Sequence, residues 1–198
     1  LGRVVAGHTD IPPGVFNVVT ASDPVMLGEQ LVVDPRVDMV SFTGSTVVGR
    51  RIMALASGTV KNLFLELGGK SANIMLDDAD LSQSLLSCLA VCFHAGQGCA
   101  IPTRLMVPRS MYAEAVDIVA AGFANVTYGD PTDPGNLQGP QVSKRQQDRV
   151  LDYIEKGKAQ GARLITGGGV PSQFDKGYFV EPTLFADVDN SMTIAQEE

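Results

Sequence analysis

Val40-Ser41-Phe42-Thr43-Gly44-Ser45-Thr46-Val47-Val48-Gly49 runs from an apolar, alternating stretch through a glycine into residues of helical period. The alternation predicts a strand over residues 38–43, and Gly44-Ser45-Thr46 a turn into a helix over 46–57. In such a unit the N–H groups of Ser45, Thr46 and Val47 sit at a helix N-terminus. There the unpaired donors and the dipole favour an anion, and the pyrophosphate of a dinucleotide would fit. Taken alone, the same pattern is more often only an N-cap, and the G-x-G-x-x-G fingerprint is absent.

The pattern repeats outward. Pro12-Pro13-Gly14 leads into a predicted strand over 15–20, and Asp23-Pro24 reads as the cap and first residue of a helix toward Val33, stopped by Asp34-Pro35. A third strand over 60–67 ends at Gly68-Gly69. Beyond it come a strand over 72–76, a helix over 80–94 and a strand over 104–107. Amphipathic helices over 110–124 and 144–160 flank the turn-rich segment 129–135, and strands over 163–166 and 177–185 surround Gly167-Gly168-Gly169. Strands alternating with helices predict an α/β protein with a mainly parallel sheet. The glycine pair at 68–69 marks a seam between domains over 1–67 and 68–198.

Composition narrows the function classes. The 198 residues carry 15 basic and 22 acidic side chains, a net charge of −7, with 44% hydrophobic and 19% charged residues. That balance suits an ordinary folded chain and argues against nucleic acid or an anionic membrane as partner. No apolar run approaches the roughly 18 residues of a membrane span. Three cysteines make no disulfide framework, and a reducing cytoplasm is the expected compartment. An opening at Leu1-Gly2-Arg3 and an end at Glu197-Glu198 suggest a segment of a longer protein.

Two further constellations carry chemistry. Leu65-Glu66-Leu67-Gly68-Gly69-Lys70 leaves a carboxylate at the end of an apolar strand, where ligands of open α/β sheets bind. If buried, Glu66 would have a raised pKa suited to a general base; the competing reading pairs it structurally with Lys70 or another cation. In Phe93-His94-Ala95-Gly96-Gln97-Gly98-Cys99-Ala100 small neighbours leave the Cys99 sulfur open, as an attacking thiolate requires, although a free cysteine is more often inert. Cys88 and Cys92, four residues apart, read as core packing. No metal-ligand set is expected, and His8 and His94 read as solvated or structural.

In order and approximate spacing, Ser41-Phe42-Thr43-Gly44-Ser45-Thr46 with Gly49, Leu65-Glu66-Leu67-Gly68-Gly69-Lys70 and Gly96-Gln97 with Cys99 resemble the aldehyde dehydrogenase superfamily. Pro12 to Val19, Ser71-Ala72-Asn73-Ile74, Asp78-Ala79-Asp80-Leu81 and Glu181-Pro182-Thr183-Leu184 strengthen the resemblance, and Glu197-Glu198 is similar to the start of the family's Glu-Glu-Ile-Phe-Gly-Pro motif.

The resemblance implies parts of two Rossmann-like parallel-sheet domains: the C-terminal half of an NAD(P)-binding domain over 1–67 and the first part of a catalytic domain over 68–198. It implies oxidation of an aldehyde to a carboxylic acid, with Cys99 as nucleophile and Glu66 as the base that activates water against the thioester. NAD or NADP would be cradled by Gly44, Ser45, Thr46, Val47, Val48 and Gly49. Leu67 would border the nicotinamide, Glu198 would bind its ribose, and Gly14 would lie beside the adenine. A homo-oligomer, dimer or tetramer, is expected of the full-length protein. The family's second oxyanion donor, an upstream asparagine, has no candidate in this sequence, so the stretch alone is expected to turn over little. The alternatives are a catalytically silent family member acting as a scaffold and a coenzyme A-acylating enzyme; Glu66 argues against the latter.

Overall fold

Asp23 opens the first regular stretch of the core. In the computed structural model, which describes residues 1–198, its carboxylate accepts from the N–H groups of Val25 and Met26 at 3.0 and 3.1 Å, and Pro24 takes the first helical position, where no donor is needed. The chain divides into two compact units, Leu1–Leu67 and Gly68–Glu198.

In the first unit, helix α1 (Gly2–His8) buries no residue. Helix α2 (Pro24–Val33) ends at Asp34, strand β1 (Met39–Thr43) leads to helix α3 (Thr46–Ala56), and strand β2 (Asn62–Glu66) follows. The strands pair in parallel, Met39 opposite Asn62 and Thr43 opposite Glu66, so α3 is the crossover that a parallel pair requires. Val32, Ile52 and Ala56 are buried against Val40, Phe42, Leu55, Leu63 and Leu65. Burying a Val or Ile fully contributes roughly 1.5–3 kcal/mol, and this small cluster holds α2 and α3 to one face of the two strands. On the other face Met39 and Phe64 stay exposed.

The strand expected over 15–20 does not form. Residues 17–20 are irregular, Val15, Val18 and Val19 are exposed, and β1 pairs only with β2. A β-branched run becomes a strand only when a neighbour accepts its backbone hydrogen bonds, and none adjoins it.

In the second unit, strand β3 (Ala72–Ile74) pairs in parallel with strand β4 (Arg104–Met106). Between them lie the short helix α4 (Leu81–Ser84), capped by Asp80, and a 3₁₀ stretch that begins at Leu85 and leaves helical geometry at Phe93. The single α-helix expected over 80–94 is thus corrected. Leu85 and Cys88, three residues apart and both buried, line up on one ridge of a 3₁₀ helix. Helix α5 (Tyr112–Ala124) packs Ala115, Val119 and Phe123 against Leu81, Leu85, Cys88 and Cys92 to form the unit's main core.

Helix α6 (Lys144–Ala159), capped by Ser143, precedes strand β5 (Arg163–Thr166), which pairs with strand β6 (Leu184–Ala186). This pair is antiparallel, against a mainly parallel expectation that the other two pairs meet. The strand expected over 177–185 is reduced to its last residues because two side chains and one backbone N–H capture its carbonyls. Gln147 Nε2 donates to Phe179 O at 2.7 Å and Gln138 Nε2 to Val180 O at 2.7 Å, while Gln141 N donates to Tyr178 O at 2.9 Å. Helix α7 (Thr193–Gln196) follows. No helix is long and apolar enough to cross a membrane.

Candidate active site

The turn after β1 and the end of β2 meet in the first unit. Thr43 pairs with Glu66, and Gly44 N then donates to Glu66 O at 2.9 Å, so the turn and the acid share the C-terminal end of the strands. Ser45 caps α3 by accepting from Val48 N at 3.3 Å, and Gly49 N donates to Ser45 O at 2.9 Å. Val48 and Gly49 therefore spend their donors inside the helix. The N–H groups of Thr46 and Val47, in its first turn, have no intrahelical acceptor and remain for an anion.

Gly49 contributes space. A Cβ there would fall 2.6 Å from Leu67 Cδ2 and 2.8 Å from Cδ1, so a side chain at position 49 would push the Leu67 methyls out of the place they take against the helix. Unpaired donors, the hydroxyls of Ser45 and Thr46, and the positive end of an 11-residue helix form a donor set that fits a dinucleotide pyrophosphate.

Glu66 departs from expectation in one respect. The β2 alternation places it with Asn62 and Phe64 on the open face, where it is exposed. No element of its unit covers it, so the buried strand-end carboxylate expected from the sequence is not found within this unit.

The second unit separates its three thiols. Cys88 and Cys92 are buried in the main core and Cys99 is exposed. Burial pushes the Cys92 thiol up to about 11; it also raises that of Cys88, against the opposing hydrogen bonds of Ser87 and Asn73. Neither buried thiol is placed to yield a thiolate. Cys99 lies in a turn over 98–101 closed by Ile101 N donating to Gly98 O at 3.3 Å.

The approach to Cys99 is unusual backbone. Phe93 is extended (φ −61°, ψ 137°), then His94 and Ala95 are left-handed (φ 53° and 54°) and Gly96 follows at φ 74°. A left-handed non-glycine residue costs roughly 1–2 kcal/mol, and two in succession persist only if their surroundings hold them.

Glu198 is already engaged. Its Oε2 accepts from Gly69 N at 3.0 Å, and its backbone oxygen accepts from Arg149 Nη2 at 2.7 Å. Burial pushes the Lys70 ammonium below its ordinary range, with Glu198 opposing the shift and Arg104 adding to it.

Sequence reasoning passed over a set of buried glutamines, Gln138, Gln141 and Gln147, each 4–5% exposed. Each donates its side-chain amide to a backbone carbonyl, Gln141 Nε2 to Ala95 O at 2.9 Å. The one local signal is Gln147, which lies seven residues before Ile154 on the buried face of α6.

The expected residues fall in two groups. Gly44 to Gly49, Glu66 and Leu67 belong to the first unit, Cys99 and Glu198 to the second.

Residues 4–198 match the sequence model of the aldehyde dehydrogenase family. A betaine aldehyde dehydrogenase of Brucella anthropi is 44% identical over 191 residues, covering 95% of this chain and 39% of its own length. The crystal structure of a Mycobacterium tuberculosis aldehyde dehydrogenase complexed with NAD+ is 47% identical, with a TM-score of 0.84 over 86% of this chain and 36% of that one. A cysteine-to-alanine mutant of aldehyde dehydrogenase C from Pseudomonas syringae, complexed with NAD+ and octanal, is 39% identical with a TM-score of 0.91, covering 95% of this chain and 39% of that one. The chain spans about 40% of the length of the curated relatives it matches.

Proposed function

We propose, on the premise that this chain belongs to the aldehyde dehydrogenase family, that it carries the nucleophile and the general base for oxidising an aldehyde to a carboxylic acid. The observation that carries this reading is the single exposed thiol, Cys99, in a chain whose other two cysteines are buried. In this mechanism the Cys99 thiolate attacks the aldehyde carbon, forming an S–C bond and leaving a thiohemiacetal alkoxide. Bound NAD+ supplies the hydride acceptor that lets this adduct become a thioester; NAD+ is the form held by the solved relatives. Glu66 then takes a proton from water, the hydroxide adds to the thioester carbonyl, and the Cys99 thiolate leaves as the acid is released.

Thr46 and Val47 would hold the pyrophosphate through their N–H groups, with Gly44, Ser45, Val48 and Gly49 shaping the turn. Leu67 would border the nicotinamide and Glu198 accept from its ribose. The Cys99 N–H lies beside the sulfur and is suited to donate to the developing oxyanion. A first domain that binds the dinucleotide and a second that carries the nucleophile follow from the same reading, as does aldehyde as the substrate class.

The test is Cys99→Ala in the full natural protein. Aldehyde-dependent NADH formation is expected to disappear while NAD+ binding is retained; continued oxidation by this variant would remove the covalent mechanism.

A further inference from the structure

Cys99 sits at the end of a bend that two amide side chains hold in place. Between the core helical stretch and the nucleophile, the chain leaves helical geometry at Phe93 and passes through left-handed His94, Ala95 and Gly96. The carbonyls that this excursion frees are captured. His94 O accepts from Gln97 Nε2 at 2.8 Å and from Gln97 N at 3.1 Å, and Ala95 O accepts from Gln141 Nε2 at 2.9 Å. Gln97 reaches across in the other direction as well, its Oε1 accepting from Val142 N at 2.9 Å.

We propose that Gln97 and Gln141 form an amide clamp that positions Cys99 for attack, an inference that rests on the reading of Cys99 as nucleophile. Gln97 immediately precedes Gly98-Cys99, so its side chain sets the direction in which the chain enters the turn. The partner segment is itself fixed, because Gln141 N donates to Tyr178 O at 2.9 Å and the residue is 4% exposed.

The remaining polar atom of Gln141 argues for position over stability. Its Oε1 is buried and has no hydrogen-bond partner. A buried acceptor without a donor carries its full desolvation cost, which an apolar side chain of the same shape would avoid. Glutamine at 141 is therefore a poor choice for the core alone and a good one for holding Ala95 O at a set place. Gln97 and Gln141 touch neither substrate nor cofactor in this scheme; they are positioning residues.

The experiment uses the full natural protein with Gln97→Met, Gln141→Met and Cys99→Ala. Four quantities are read: the rate of the first-turnover NADH burst, the rate of Cys99 alkylation by iodoacetamide across the thiol titration range, the NAD+ dissociation constant, and the thermal midpoint. With the clamp open, the burst is expected to slow roughly tenfold to a hundredfold, as for small misplacements of a reacting atom. The rate of alkylation changes with it, while NAD+ affinity and the midpoint stay near wild type. Wild-type burst and alkylation in both methionine variants would overturn the clamp, and so would losses that merely track a fallen midpoint. A full burst from Cys99→Ala overturns the nucleophile reading instead; a burst abolished by Cys99→Ala but untouched by the glutamine variants overturns the clamp alone.

Discussion

The Gly44 N–H donates to the carbonyl oxygen of Glu66 at 2.9 Å, one residue beyond the last parallel pair, Thr43 with Glu66. The bond fixes the backbone of the proposed base to the turn that opens α3. Its carboxylate, on the open face of β2, is left to act on whatever that end of the strands receives.

Glu66→Gln therefore preserves the backbone link and removes only the proton acceptor. Acylation of Cys99 is expected to continue, giving a burst of NADH, while thioester hydrolysis slows by about 10²–10⁴, the usual range for a general base. Rapid-mixing absorbance at the NADH band separates the two phases. A steady state equal to wild type would take the role from Glu66.

Two glycines should respond in opposite directions to the same added methyl. Gly28 is exposed in the middle of α2, and a Cβ there meets nothing within 4 Å. Gly28→Ala should raise stability by about 1 kcal/mol through helix propensity. Gly167 has φ +72°, and a Cβ would fall 2.1 Å from the carbonyl oxygen of Pro182. Left-handed strain and a backbone collision add up, so Gly167→Ala should cost more than about 2 kcal/mol. Denaturant unfolding of the two variants gives both signs; a neutral Gly167→Ala would mean that the loop yields freely.

Cys92 makes stability fall in alkali. Its thiol is pushed from 9.0 up to about 11 by burial, so between those values the unfolded chain has lost a proton that the folded chain keeps. Stability is intact below pH 9 and declines as pH rises toward 11, by roughly 2–3 kcal/mol over that window. Cys92→Ala lowers stability at every pH through the cavity it leaves, yet should flatten the slope between pH 9 and 11. Thermal midpoints measured across that range decide the matter, and an unchanged slope would assign the alkaline loss to other groups.

The unit β1-α3-β2 was legible in the sequence to within a residue or two, because alternation, a glycine turn and a serine cap are all local signals. The segments over 15–20 and 177–185 were not. Each has the composition of a strand, but the first adjoins no strand to pair with and the second gives its carbonyls to Gln138, Gln147 and the Gln141 backbone. The site divides in the same way. The openness of Cys99 follows from Gly98 and Ala100 beside it, whereas the weight of Gln141 comes from Ala95, 46 positions away, which no local pattern encodes.

Glu198 offers a test of cofactor contact that does not involve the chemical step. Gln at this position can still accept from Gly69 N through its side-chain carbonyl, so the local fold should survive the loss of charge. Hydrogen bonds to charged groups contribute more than neutral ones, and a ribose hydroxyl donating to an amide oxygen in place of a carboxylate should weaken NAD+ binding by about fivefold. Lys70 supplies an internal control. Glu198 opposes the lowering of its pKa by burial and Arg104, so Glu198→Gln should move the Lys70 titration further down, visible as an earlier transition in its side-chain NMR signal. Calorimetric titration of NAD+ then separates the two roles. A shifted Lys70 with unchanged NAD+ affinity would confine Glu198 to the local electrostatics of Gly69 and Lys70, and a shift in both would tie it to the ribose.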